Sequence, residues 1–296
     1  MTKKGFIYAI GAYISWGLFP IYWKWLQHVS AIQVISHRIV WSFLVLLTII
    51  LFTWQFRAFR QTGFKPPVVW ISLLSASLIG VNWLVYVWAV NADFIVEASL
   101  GYFINPLLSV LIGIVFLRER LRLFQWIPIT LATLGVIYLS IVYGRIPWIA
   151  FTLALSFSFY GLLKKLSPIG SIHGLTIETG ILFIPAVLYL LYMDISGSGQ
   201  FLRSNLTTNL LLIGSGLITT ITLMMFSSAA QILPLSILGV MEYIAPTLAF
   251  LLGVLIYKEP FDWVQLIGFG IIWIALILFA VEGFLVRRNI LAGAPK

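Results

Sequence analysis

The sequence predicts an all-α polytopic membrane protein, with ten transmembrane helices arranged as two inverted five-helix repeats. Three observations predict this fold class. Of the 296 residues, 61% are hydrophobic and only 9% are charged, whereas soluble domains carry about 25% charged residues. The apolar residues form stretches long enough to cross a bilayer. Two of these stretches repeat one pattern at a spacing of 140 positions.

Ten segments are long and apolar enough to span the membrane, which requires about 20 mostly apolar residues. The first contains Trp16 and Pro20 and has no small-residue cleavage site, which indicates a retained helix and not a signal peptide. The first five segments form one half (residues 1–145) and the last five form the other (146–296). The segments are Gly5–Trp23, Ala31–Trp54, Val68–Val90, Phe94–Leu117, Leu123–Tyr143, Pro147–Leu163, Gly174–Met193, Thr207–Ala230, Leu235–Tyr257 and Trp263–Phe284.

The basic residues indicate the orientation, because cytoplasmic loops carry an excess of Lys and Arg. With the N-terminus inside, 13 basic residues fall in inside segments and 4 in outside segments, and Arg38 within the second helix completes the total of 18. Both termini are therefore predicted to be cytoplasmic. The inside set is Lys3, Lys4, Arg57, Arg60, Lys65, Arg118, Arg120, Arg122, Lys164, Lys165, Arg287, Arg288 and Lys296, and the outside set is Lys24, Arg145, Arg203 and Lys258.

The fourth and ninth segments share an unusual pattern, seen in "GYFINPLLSVLIGIVFLRER" and "MEYIAPTLAFLLGVLIYKEP". Because five helices precede the second half and five is odd, the two halves are inverted in the membrane. Inverted repeats are typical of secondary transporters, whose substrate site lies near the midplane between the halves. An old duplication that only stabilises a helical bundle is the alternative. The shared positions are Pro106 and Pro246, Gly113 and Gly253, and Arg118-Glu119 and Lys258-Glu259.

The two prolines are the first candidate functional residues. Proline frees a backbone carbonyl and can kink a helix, and in a membrane such backbone survives where it faces protein or a water-filled cavity. We expect the helices with Pro106 and Pro246 to line the pathway and to bend during access. A static kink is the alternative, since proline is common in membrane helices.

Charged residues within the spans are the second group. A charge at the bilayer centre costs about 2.5–3.5 kcal/mol, so it needs a partner or a purpose. Arg38 follows His37 in the second helix and could pair with Glu97, while Glu178 lies 140 positions after Arg38. Together with Glu242, these groups are candidates for substrate orientation, a gate ion pair or proton transfer. Snorkelling of the arginine and a structural salt bridge are the alternatives.

Aromatic residues within the helices are the third group. Aromatic walls suit organic or amphiphilic solutes, and they also attract cations. Trp16 and Trp83 stand out because Ser15 and Asn82 precede them. Core packing and the interfacial aromatic belt are the alternatives. The other aromatic residues of this group are Tyr86, Trp88, Tyr102, Tyr160 and Tyr243.

Several classes of chemistry are excluded by the sequence. The chain has no cysteine, so disulfides and thiolate sites are impossible. It contains neither GxxxxGK[ST] nor HExxH, and its histidines are far apart along the chain, so no ATP site, metal site or cofactor is expected. The expected partners are a small-molecule solute and the lipid bilayer, with a coupling proton as a hypothesis; nucleic acid is not expected, and the oligomeric state is not predicted.

The stretches "SHRIVWSF", "NWLVYVWAVN", "EASLGYFINPL", "AFTLALSFSFYGLLKK" and "EYIAPTLAFLL" resemble RarD-type permeases of the EamA family, in the drug/metabolite transporter superfamily. The resemblance covers nearly the whole chain. It implies a bacterial inner membrane, cytoplasmic termini, and a central cavity that helices four and nine help to line. The candidate pathway residues are Ser15, Trp16, His37, Arg38, Asn82, Trp83, Glu97, Tyr102, Asn105, Pro106, Tyr160, Glu178, Glu242, Tyr243, Pro246 and Thr247.

These observations predict a secondary permease or exporter that works by alternating access. Its substrates would be small organic solutes, such as amino-acid-like metabolites or amphipathic drugs of the chloramphenicol kind. Proton antiport through Glu97 or Glu178 is a further hypothesis. A passive facilitator or channel is the main alternative. A membrane enzyme would need a clustered catalytic set, and apart from Asp262 near Glu259 the sequence offers none.

Overall fold

The computed structural model describes residues 3–92, 94–143, 147–258 and 263–291, and the secondary structure within these ranges is helical. A 3-10 turn precedes α6, and a π-helix at Leu252–Ile256 extends α11. The helices are α1 (Lys3–Trp25), α2 (Ala31–Phe52), α3 (Phe56–Gly63), α4 (Pro66–Asn91), α5 (Ile95–Leu117), α6 (Trp126–Tyr143), α7 (Trp148–Leu166), α8 (Ser171–Ile195), α9 (Leu206–Ile232), α10 (Leu235–Glu242), α11 (Ile244–Leu251) and α12 (Trp263–Leu291).

Nine helices within the described ranges are long and apolar enough to cross a membrane, with α10, α11 and the π-helix counted as one. They coincide with the first nine predicted segments. The tenth predicted segment lies in α12, which is helical, but its apolar stretch within the described residues is the shorter Leu266–Glu282. The protein is therefore a multi-pass helical membrane protein, and a tenth crossing stays a prediction.

A short amphipathic helix, α3, occupies the connection between α2 and α4. Its apolar side buries Phe59, whose ring meets that of His173 on α8 edge-on at 5.6 Å, while Arg57 and Arg60 are exposed. This division of apolar and basic residues suits the membrane surface, where a basic face meets headgroups.

The helices pack in a defined set of neighbours. Helix α5 packs against α7 and α10, helix α2 against α8 and α9, helix α1 against α9 and α11, helix α4 against α7 and α8, and helix α6 against α12. Small residues allow the closest approaches. A Cβ on Gly239 of α10 would lie 2.8 Å from the Pro106 carbonyl oxygen of α5, and one on Gly216 of α9 would lie 2.6 Å from the Ser42 amide of α2.

The two proline-containing spans differ in their backbone. Helix α5 continues through Pro106, whereas the equivalent span is divided into α10 and α11 at Tyr243, three residues before Pro246. Pro246 has no N–H for the Glu242 carbonyl one turn earlier, which weakens the helix at that point. The expected interruption is therefore present in the second span, where a π-helix adds a further irregularity at Leu252–Ile256.

Candidate functional site

Arg38 on α2 projects among aromatic side chains from neighbouring helices. Its guanidinium carbon lies 4.9 Å from the ring centre of Trp23 on α1 and 4.8 Å from that of Trp83 on α4. Its Nε donates a 3.0 Å hydrogen bond to Oγ1 of Thr219 on α9. We call Arg38, Trp23, Trp83 and Thr219 the arginine cage. Four helices meet at this cage, as expected of a site formed within a helical bundle.

Two tyrosines stand beside the arginine cage. Tyr86 on α4 and Tyr102 on α5 are close enough to interact electrostatically with Arg38. Their rings meet edge-on at 6.1 Å. Tyr86 lies three positions after Trp83, which places both rings on one face of α4. Tyr86 is 38% and Tyr102 49% exposed, so the neighbouring helices leave part of each tyrosine uncovered.

Among the described side chains, the arginine cage stabilises its charge through aromatic rings and a hydroxyl, and no acid takes part. A charge within the bilayer costs about 2.5–3.5 kcal/mol, and each cation–π contact returns about 0.5–2 kcal/mol. Two indole rings and the Thr219 hydroxyl therefore offset much of the cost. The expected partner Glu97 lies on α5, but its side chain is outside the described residues. Glu178, the other acid related to Arg38 by sequence, pairs elsewhere.

Glu178 on α8 forms a buried ion pair with Lys164 on α7. The Lys164 Nζ lies 2.6 Å from both carboxylate oxygens of Glu178, and the Tyr160 hydroxyl donates to Oε2 at 3.4 Å. The Lys164 and Glu178 side chains are only 2% and 5% exposed. The sequence assigned Lys164 to an inside segment and gave it no partner, and the structure shows that its side chain is buried within the bundle. Lys164 lies four residues after Tyr160 and therefore on the same face of α7. This spacing is the sequence signal that could have placed Lys164 in the interior of the bundle.

An aromatic cluster covers this ion pair. Tyr160 stacks on Phe226 with ring centres 6.1 Å apart and planes at 9°. Trp16 contacts both Phe226 and Phe157, with ring centres at 5.3 and 5.6 Å. Trp16 is thus part of the packed core, whereas Trp83 belongs to the arginine cage. Ser15 donates to the Gly11 carbonyl of its own helix at 2.7 Å, which is a local contact.

A third polar group connects α5, α7 and α10. The Asn105 Nδ2 donates to Glu242 Oε1 at 2.7 Å, and the Ser158 hydroxyl donates to Asn105 Oδ1 at 2.6 Å. Asn105 is 6% and Glu242 8% exposed, so in this conformation both side chains are bonded to each other and buried. The sequence singled out both residues, but not Ser158 or the direct bond between them.

The remaining candidates connect helices or loops. His37 packs on Phe201 of the connection before α9, with ring centres 4.9 Å apart. Asn82 joins α4 to α7 by a 2.8 Å hydrogen bond to the Leu153 carbonyl. The Tyr243 hydroxyl donates to the Phe103 carbonyl at 3.0 Å, and Thr247 accepts from the Trp273 indole at 3.1 Å. The structure thus distributes the candidates over several groups and does not bring them into one pocket.

The repeated glycine and acid at the end of α5 have a structural role. Glu119 accepts hydrogen bonds from the Leu235 amide at 2.6 Å, and from the Ser236 amide and hydroxyl at 2.8 and 2.6 Å. A carboxylate is favourable at the start of a helix, where the backbone N–H groups are free and the dipole is positive. A Cβ on Gly113 would lie 2.8 Å from a Glu119 oxygen, so the glycine leaves room for this cap of α10.

Long apolar helices packed around buried charges and aromatic rings define a polytopic helical membrane protein. The particular family follows from comparison with known proteins: the chain belongs to the EamA-like transporter family, whose profile matches residues 3–141 and again 145–281. RarD-type members cover nearly the whole chain, which confirms the resemblance found in the sequence.

Two relatives illustrate this membership, and one solved structure shares the fold. An uncharacterized transporter of Vibrio cholerae is 43% identical over 282 residues, covering 95% of this chain and 93% of the relative. The protein RarD of Escherichia coli strain K12 is 39% identical over 288 residues, covering 97% of each chain. A solved structure described only as a crystal structure of protein matches with a TM-score of 0.72 at 17% identity, covering 95% of this chain and 99% of its own, and it supports the fold alone.

Proposed function

We propose that the protein is a secondary transporter that moves small organic solutes by alternating access between two inverted five-helix halves. One observation carries the proposal: the most extensive helix–helix contacts within the described residues map onto one another when the two halves are exchanged. The exchange pairs each helix of the first half with one of the second: α1 with α7, α2 with α8, α4 with α9, α5 with α10–α11, and α6 with α12. Under this pairing, the contact between α5 and α7 corresponds to the contact between α11 and α1. In the same way, the α4–α7 contact corresponds to the α9–α1 contact, and the α2–α9 contact to the α8–α4 contact. Three contacts correspond to themselves: α2–α8, α5–α10 and α6–α12.

Contacts between equivalent residues add support for a two-fold relation. Phe103 and Tyr243 lie 140 positions apart, and the Tyr243 hydroxyl bonds to the Phe103 carbonyl. Arg118 and Lys258, also equivalent, both adopt the left-handed backbone with φ of 53°. The family profile also matches once in each half. A relation of this kind allows two halves to exchange conformations about a central site, which is the basis of alternating access.

The proposed setting is the bacterial inner membrane with both termini in the cytoplasm. The distribution of basic residues supports this orientation. Hydrogen bonds join residues that the predicted orientation assigns to the same side of the membrane. Ser236 bonds to Glu119, both on the predicted inner side, and Gln33 bonds to Ser198, both on the predicted outer side. Solutes would be amino-acid-like metabolites or amphipathic drugs such as chloramphenicol, which suit an interior with accessible aromatic rings.

Proton antiport through Glu97 or Glu178 is the proposed form of coupling. Glu178 is bonded to Lys164, so a proton would arrive as this pair separates. Solute flux into proteoliposomes is then expected to change under an imposed pH gradient. Equal solute flux with and without the gradient would contradict proton coupling, but it would not contradict transport by a carrier.

Counterflow tests the carrier against its main alternative, a passive facilitator or channel. Proteoliposomes loaded with unlabelled chloramphenicol or with one of a panel of amino acids are diluted into a trace of the same labelled compound. A carrier accumulates label transiently, because its site returns loaded, whereas an open pore gives no such overshoot. Protein-free vesicles provide the baseline. The Arg203→Gln variant, which changes only an exposed loop ion pair with Asp194, is expected to behave as wild type.

A further inference from the structure

Within the described residues, Lys164 and Arg38 are cations in the interior of the bundle, and their surroundings differ. Lys164 has its carboxylate at 2.6 Å within the same bundle. Arg38 has two indole rings and one hydroxyl, and among the described side chains none that is acidic hydrogen-bonds to it. The first cation is neutralised by the protein. The second is balanced by no acid among the described side chains and lies within electrostatic range of Tyr86 and Tyr102, whose rings are partly exposed.

The hydrogen-bonding capacity of Arg38 is mostly unused within the described residues. A guanidinium carries five N–H donors in a fixed fork. Its Nε donates to Thr219, and the terminal nitrogens have no hydrogen-bond partner among the described side chains. Two terminal N–H groups of an arginine match the two oxygens of a carboxylate, which they bind bidentately.

The surroundings of Arg38 suit the remainder of such a ligand. The rings of Trp23 and Trp83 lie against the guanidinium, and because neither ring is charged, they do not neutralise it. Tyr86 and Tyr102 present partly exposed rings next to it. A carboxylate at Arg38 would therefore place an attached ring or aliphatic chain against these tyrosines, where aromatic contacts are favourable.

We propose that the arginine cage is the anion-recognition part of the transport site and selects solutes that carry a carboxylate on an aromatic or apolar body. This rests on the proposed transport function and names its substrate class. Thr219 is a positioning residue, because its hydroxyl holds the Nε edge of the guanidinium and so directs the terminal nitrogens. The tyrosines contact the apolar body of the solute.

Matched ligand pairs test the proposal. The purified full-length protein is placed in nanodiscs made only of phosphatidylcholine, so that no anionic headgroup competes, and its thermal unfolding is followed with indole-3-acetate or indole-3-acetamide, and with 3-phenylpropanoate or 3-phenylpropanamide. We expect at least one carboxylate to raise the unfolding midpoint, because ligand binding stabilises the folded state. Its amide is expected to bind about tenfold more weakly or worse, since the bidentate charge-assisted bonds are lost.

Variants assign the preference to Arg38. Arg38→Gln is expected to bind acid and amide alike. Arg38→Lys keeps the charge and is expected to retain part of the preference, which provides a readout should the glutamine variant fold poorly. Lys24→Gln removes an exposed cation that lies over Tyr257, outside the arginine cage, and is expected to keep the full preference.

Three results would overturn the anion site: no carboxylate stabilises the wild type, each amide binds as tightly as its acid, or Arg38→Gln keeps the preference. These are separable from failure of the transport function. Counterflow of neutral chloramphenicol without any carboxylate binding would leave a transporter whose Arg38 is structural. Carboxylate binding without counterflow of the bound compound would retain the site and contradict the carrier.

Discussion

Removing one partner of the buried Lys164–Glu178 pair is expected to destabilise the protein strongly. In Lys164→Met the Glu178 carboxylate loses the ammonium at 2.6 Å and keeps the Tyr160 hydroxyl at 3.4 Å as its long hydrogen bond. Since both side chains are almost completely buried, the carboxylate has little access to water. An uncompensated charge in such a position costs about 3–5 kcal/mol.

The expected size of the effect is large enough to measure by thermal unfolding. One kcal/mol corresponds to about 2–4 °C in a domain of 150–250 residues. For this chain, the loss of the ammonium therefore corresponds to a midpoint lowered by roughly 6–20 °C. The Lys164→Met/Glu178→Leu double variant removes both charges and is expected to recover much of the loss, because replacing a whole buried pair by apolar groups is often neutral or stabilising.

A neighbouring lysine supplies the matched control. Lys165 donates to the Ala230 and Leu233 carbonyls at 3.2 and 2.5 Å and is only half-buried, so Lys165→Met removes a cation without leaving an unpaired acid. We expect a smaller decrease, measured by fluorescence-detected unfolding in one detergent. An unchanged midpoint in Lys164→Met, or a double variant that loses the sum of the two single losses, would refute the account of a coupled buried pair.

Two further predictions concern the contacts of α5 with α10. Glu119→Gln weakens the charge-assisted cap of α10 and is expected to lower the stability by about 1.5–3 kcal/mol. The control Arg120→Gln changes an exposed residue and is expected to leave the stability unchanged. Equal unfolding midpoints for the two variants would contradict the cap. Gly239→Val places side-chain carbon against the Pro106 carbonyl, 2.8 Å from an added Cβ, and is expected to lower both stability and transport in proteoliposomes. Gly270→Val is the control, because a Cβ at Gly270 would have no neighbour within 4 Å. Similar stabilities and similar transport rates for the two variants would contradict the importance of the close contact at Gly239.

The helices were predictable because the bilayer fixes their length and polarity. The first nine predicted segments follow from runs of apolar residues alone, and they coincide with the observed spans. Of the two proline positions predicted to bend their helices, Ala245-Pro246 lies beside an interruption at Tyr243, whereas α5 continues as a helix through Asn105-Pro106. The rotation of each helix about its axis could not be predicted from the sequence. These helices are apolar on most sides, so packing determines which residues face the interior of the bundle.

The partners within the site depended on that rotation. Arg38 was a clear candidate, yet Trp23 and Thr219 come from α1 and α9 and carry no signal of their own. Glu178 was likewise recognised without its partner, because Lys164 stands next to Lys165 and resembles a surface pair. A charged residue in a span could therefore be identified from sequence, whereas the group that neutralises it could not.

The most direct test of the inverted architecture uses the equivalent pair Arg118 and Lys258. Both are exposed, both have φ of 53°, and the chain has no native cysteine, so Arg118→Cys and Lys258→Cys form a matched pair of single-cysteine variants. Intact cells are treated with a membrane-impermeant maleimide, and permeabilised cells report the total reactive thiol. The account predicts labelling of Lys258→Cys in intact cells and of Arg118→Cys only after permeabilisation. Labelling of both positions from the same side would contradict the inverted repeat and the transport mechanism built on it.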